Sequence, residues 1–214
     1  MPATLHYIYD PLCGWCYGAE PLVSAAAASP AIALDLHAGA LWPEPTRLPE
    51  STRLYIRQAD QRIAAMSGQR FGPDYHGGLL LDPTMVLESR PPTAAVLAAQ
   101  SLDPTKELPM LRAIQHAHYE HGRRVVEHDV LCDIAVEIGL DRAAFEAALT
   151  RVPLEEHIDS THRLMSQVGA QGFPTFVLQL GDDLYPVPHG RFASQPAEFR
   201  DWLETQVNAH APAH

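Results

Sequence analysis

The chain has 214 residues, 46% of them hydrophobic, and 15 Lys+Arg against 26 Asp+Glu give a formal net charge of −11 at pH 7. That length permits a substantial core in one or two domains. The acidic balance argues against a nucleic-acid or anionic-membrane surface, and no apolar run reaches spanning length.

Met1-Pro2-Ala3-Thr4-Leu5-His6 lacks the basic start of a signal peptide, so the expected compartment is the cytoplasm. Leu5-His6-Tyr7-Ile8-Tyr9 reads as a short buried strand and Asp10-Pro11-Leu12 as the turn after it. From Gly14 to Ala28 the alanine-rich sequence predicts a helix starting at or near Cys13, bent or restarted at Pro21. Cys13-Gly14-Trp15-Cys16 therefore holds two thiols one helical turn apart, a spacing suited to a reversible disulfide. Unpaired N–H groups and the positive end of the helix dipole favour an anion at the N-terminus, which makes Cys13 the attacking thiol, expected ionised and open to solvent at the mouth of a cleft. Cys16, one turn further in, is the resolving thiol. The alternatives are a zinc knuckle and a purely structural thiol pair. A zinc knuckle needs a second ligand pair, and the remaining cysteine, Cys132, stands alone in a helical segment, where it reads as a small core residue. A carboxylate beside a thiol disfavours the thiolate, so Asp10 reads as a turn former.

Residues 32–36 alternate as a strand. The middle, 46–168, is almost entirely helical in period. One stripe is Tyr55, Ala59, Ile63 and Met66. A second is Leu131, Ile134, Ala135 and Ile138, with Asp129 as N-cap and Gly139 as stop. Leu154, Ile158, Thr161, Met165 and Val168 make a third. Pro91-Pro92 and Pro109 punctuate the rest, and Phe71-Gly72-Pro73 through Pro83 reads as a longer loop. Stripes of this kind read as packing. Of the 12 histidines, His116, His118, His121 and His128 invite a metal reading, but no complete ligand spacing accompanies them, so no metal site is expected and they read as solvated or core-edge residues; His210 and His214 read as a frayed tail. Residues 175–180, a Gly181-Asp182-Asp183 turn and Leu184 to Val187 predict a hairpin, and Pro196 opens a closing amphipathic helix with Phe199, Trp202, Leu203 and Val207.

Gly172-Phe173-Pro174-Thr175 precedes the first hairpin strand. On its own Pro174 reads as a proline at a strand start, trans being the commoner isomer. Together, the strand-CGWC-helix opening and this late GFPTF segment resemble the thioredoxin-fold disulfide oxidoreductases, most closely the DsbA-like branch. The run Asp10-Pro11-Leu12-Cys13-Gly14-Trp15-Cys16-Tyr17-Gly18 is similar to the signature of that branch's predicted cytosolic protein-disulfide isomerases.

The resemblance implies an α/β, thioredoxin-like fold with a large all-helical insertion, the thioredoxin-like part being 1–45 with 169–214 and the insertion 46–168. It implies Cys13 and Cys16 as catalytic residues, and a substrate edge formed by Gly14, Trp15, Phe173 and a cis Pro174. No bound cofactor is implied. Glutathione or another cellular thiol is the expected electron partner, and a disulfide-containing protein or small thiol the expected substrate. Two departures limit it. The buried acid of thioredoxins falls near Tyr7 here, leaving that role unassigned, and Trp15 stands where oxidising periplasmic members carry a histidine, which predicts a less oxidising couple. Rival expectations are a glutathione-dependent isomerase or transferase of the same plan, and a redox-sensing binding module.

Overall fold

The structure, a computed structural model, describes residues 3–210. Its sheet contains β1 (Ala3–Tyr9), β2 (Ile32–Ala38), β3 (Thr175–Leu180) and β4 (Asp183–Pro186) in the order β2-β1-β3-β4. β1 and β2 run parallel and are joined through helix α1 (Gly14–Ala27); β3 lies antiparallel to both β1 and β4. Strand period assigns the faces. Tyr7 stacks on Tyr9, meets Phe176 of β3 with ring centroids 4.7 Å apart, and sends its hydroxyl to the Cys16 carbonyl of α1. Phe176 continues this layer edge-on to Phe199 of α8 (Pro196–Ala209). His6 and Ile8 point to the opposite face, in register with Asp35 and His37 of β2.

Between β2 and β3 the chain is helical: α2 (Glu50–Ser67), α3 (Arg90–Leu102), α4 (Glu107–Tyr119), α5 (His128–Glu137), α6 (Arg142–Leu149) and α7 (Leu154–Val168). Ala95, Ala98 and Ala99 are fully buried, so α3 packs closely on α4 and α6, with Met110, Ile114, Ile134 and Phe145 filling the space. α7 lies instead against β2, where its His157 ring accepts the Ala38 N–H at 3.0 Å.

Several expectations change in detail. Pro21 lies inside a single α1 helix rather than restarting it, and Pro91-Pro92 sit in the first turn of α3, where their missing N–H groups break no helical bond. The expected loop 71–83 contains a π turn (Asp74–Gly78) and a 3-10 turn (Leu79–Leu81). Glu127, not Asp129, caps α5; Asp129 lies in its first turn, while Gly139 beyond it adopts φ +88. β4 starts at Asp183, earlier than expected, after the left-handed Gly181. His210 ends α8 and bonds Gln206 O at 2.9 Å, so it is not frayed. His214 lies outside the described residues.

The first element after α2 is pinned to α4 by a close backbone approach. A Cβ on Gly72 would stand 1.9 Å from the Glu120 carbonyl oxygen, and the Gly72 N–H already bonds Tyr119 O at 2.9 Å. Gly72→Ala should therefore push two backbones apart and cost roughly 1–3 kcal/mol, read as a lower urea midpoint at unchanged m-value.

Candidate active site

β1 ends at Tyr9, and the turn that starts at Asp10 delivers Cys13 to the cap of α1, where its carbonyl accepts the N–H groups of Cys16 and Tyr17, both at 3.0 Å. The short Asp10-Pro11-Leu12 turn thus fixes which thiol is forward. Cys13, Cys16 and Cys132 are all unpaired, so the motif is in its dithiol form. Cys16 is sealed against β1, and its pKa is raised well above the ordinary thiol value, by burial first and by the neighbouring Cys13 second. A thiolate on Cys13 adds to that cost for a second anion, so Cys16 holds its proton until Cys13 is consumed.

Cys13 was expected to stand open to solvent, and here the structure corrects the sequence. It is only 5% exposed, at the floor of a cleft of ≈ 180 Å³. Its S–H donates to the Phe173 carbonyl at 3.6 Å, and the Phe173–Pro174 bond is cis, so the late segment does meet the motif. Gly39 makes room for this meeting, because a Cβ there would lie 2.2 Å from the Phe173 ring. Trp15 is exposed and stands between two depressions. Cys13, Asp60, Tyr75 and His118 line one; the other, apolar and ≈ 280 Å³, is lined by Phe173, Pro174, Leu22 and His189. Gly14 faces α2: a Cβ on it would stand 3.1 Å from the Asp60 carboxylate and 3.3 Å from Ile63.

Asp10 forms its turn as expected, accepting the Leu12 N–H at 2.8 Å, but it also reaches the Leu41 N–H at 2.9 Å and Ser89. It is fully buried, and that burial pushes its pKa up to about 6. The place of the thioredoxin acid is taken by Tyr7, whose hydroxyl donates to Cys16 O at 3.2 Å.

The residues that sequence reasoning missed come from the helical middle. Asp60 is 1% exposed and pushed up to about 7 by burial, with Tyr75 and His76 as neighbours. Its signal was an acid one turn from Ile56 and Ile63 on an apolar face. The stripe read as packing is in fact a cleft wall: Ile63 is buried, whereas Tyr55 is 63% exposed. His118, expected at a solvated or core edge, is buried in the cleft floor beside Tyr119, and burial lowers its pKa to about 4, so the ring is neutral. His128, for which the sequence offered no completing ligand set, converges with Cys132 and Glu146.

The model of the DSBA-like thioredoxin domain matches residues 4–194, and the chain belongs to that family. Its fold is similar to that of the cytosolic disulfide reductase DsbM from Pseudomonas aeruginosa, at 45% identity over 96% of this chain and 99% of that one, with a TM-score of 0.88. A second structure of that reductase, with GSH, gives a TM-score of 0.86 at the same identity and coverage. A chain from Nitrosomonas europaea described as a candidate protein disulfide isomerase has 22% identity, coverage of 99% and 100%, and a TM-score of 0.83, a likeness of fold. The comparison with curated proteins found no match. The chain is thus a DsbA-like thiol–disulfide oxidoreductase, with a CxxC pair at the cap of α1. Among the described residues no helix is long and apolar enough to cross a membrane.

Proposed function

We propose that this chain works in the cytosol as a reductase or isomerase of disulfides, with Cys13 as nucleophile and glutathione or a similar thiol as electron donor. One observation carries the reading: Cys16 is sealed and held protonated behind Cys13, while Cys13 faces a cleft. The Cys13 thiolate attacks one sulfur of a client disulfide, forming a Cys13–client disulfide and releasing the other client sulfur as a thiolate, which takes a proton. Cys16 then loses its proton and attacks Cys13, closing the intramolecular disulfide and freeing the second client thiol. Two glutathione molecules return the pair to the dithiol and leave as glutathione disulfide. The similarity to a reductase solved with GSH supports that donor.

Gly14 and Trp15 form one side of the client's path and Phe173 with Pro174 the other, since the apolar depression beside Trp15 continues along that edge. The division into 1–45 with 169–214 and a helical 46–168 is also proposed, with α7 shared between them through its packing on β2. The experiment is reduction of insulin by the purified protein with reduced glutathione as the electron donor. Turnover above the uncatalysed rate supports the reading, and inertness contradicts it.

Asp60 titrates near neutrality beside the reacting pair, facing Tyr75 and His76 of the π turn, Tyr119 of α4 and Cys13 of the cap. Below about pH 7 it is a neutral acid able to protonate a departing thiolate; above that it becomes an anion that opposes another. The pH profile of kcat/KM should carry an inflection near pH 7 that disappears in Asp60→Asn, with a few-fold loss of rate below it.

A further inference from the structure

On the face of the sheet turned away from α1, three side chains meet at one point. The Nδ1 atom of His6 lies 2.9 Å from Nε2 of His37 and 3.4 Å from Oδ2 of Asp35, and His37 Nε2 lies 3.2 Å from that same oxygen. The parallel register causes the meeting, because it sets His6 beside Asp35 and places His37 on the same face two residues on. We propose that His6, Asp35 and His37 form a binding site for a divalent ion of the zinc class, separate from the dithiol.

Four observations carry this. A tetrahedral zinc ion with bonds of roughly 2.0–2.1 Å keeps its ligand atoms about 3.3 Å apart, and the three separations bracket that value. The ligand types suit zinc, two imidazoles and a carboxylate. His6 is oriented from behind: its Nε2 lies 2.9 Å from Gln179 Oε1, while the Gln179 amide nitrogen donates to Gly181 O at 3.0 Å. The amide therefore presents its oxygen, His6 carries its proton on Nε2, and the Nδ1 lone pair is left toward Asp35 and His37, the arrangement in which protein imidazoles bind metals. Finally, His6 and His37 are largely covered whereas Asp35 is exposed, so the fourth position opens to water. The ion would tie β1 to β2 where the Asp35 carboxylate reaches the surface.

The test is a zinc titration of the full-length protein, calorimetric and free of thiol buffer, with Cys13 and Cys16 oxidised to remove them as ligands. Cys132→Ser is the background, which disables the second cluster of His128, Cys132 and Glu146. We expect one saturable equivalent of zinc and a rise in Tm with added metal. Cobalt in its place should give a nitrogen- and oxygen-ligand spectrum with no thiolate charge-transfer band. His37→Gln and Asp35→Asn, both at partly exposed positions, should each weaken binding at least tenfold with the apo Tm retained, and Gln179→Leu should weaken it by roughly 10–100-fold. Insulin reduction by His37→Gln should match the wild type. Absence of saturable binding in that background, or binding that survives both His37→Gln and Asp35→Asn, overturns the proposal.

Discussion

Cys13→Ser should bring the reduction of insulin by glutathione down to the uncatalysed rate while leaving the fold intact. The hydroxyl is isosteric enough to keep the cap of α1, because the bonds that start the helix use the Cys13 carbonyl rather than its side chain. What disappears is the nucleophile, since a serine hydroxyl does not ionise near neutral pH without a base to activate it. Cys16 cannot substitute. It is fully buried, and both burial and its position against β1 hold it in the thiol form. Residual activity above background in Cys13→Ser would mean that Cys16 reaches the client directly, which its burial forbids. Far-UV spectra and Tm matching the wild type would show that the loss is chemical.

Cys16→Ser should give the opposite phenotype: the first half-reaction survives and the second fails. A protein incubated with glutathione disulfide should gain one glutathionyl group on Cys13, found by intact mass and peptide mapping, and keep it until an external thiol removes it. In lysate the same variant should retain client proteins through bonds that reducing agent releases. Steady-state turnover falls to the rate at which free thiol performs the resolving step. The expectation rests on the geometry, since Cys16 lies one turn behind Cys13 and no other cysteine is near; Cys132 is on α5 within the helical middle. A second glutathionyl group on Cys132 would show that the helical middle opens on the timescale of the reaction, because Cys132 is fully buried.

The legible parts of this chain were those fixed by local rules. The succession of strands along the chain, the helix that starts at Cys13 and the closing α8 follow from periodicity, proline placement and apolar runs. The meeting of Phe173-Pro174 with Cys13 spans 160 residues, and it came from the resemblance rather than from spacing. What stayed hidden depended on tertiary packing. Asp60 looks like an ordinary helix acid until α2 is laid against Gly14 and the π turn; only then does burial move its pKa to about 7. His6, Asp35 and His37 are unremarkable along the chain and converge only because β1 and β2 pair in parallel in this register. The exposure of Cys13 was misjudged for a related reason: the helix end is accessible by itself, and the α2 wall with Trp42 and Leu87 narrows the approach to it.

The most direct test is titration of the purified protein across glutathione redox buffers, quenched in acid, with alkylation of free thiols and mass analysis of each cysteine. The account predicts one two-electron transition in which Cys13 and Cys16 lose reactivity together and appear as a single intramolecular disulfide, with Cys132 unchanged throughout and a midpoint more reducing than that of a strong periplasmic oxidant. Cys13 and Cys16 that never join at any buffer ratio, or that oxidise separately as glutathione adducts, would contradict it.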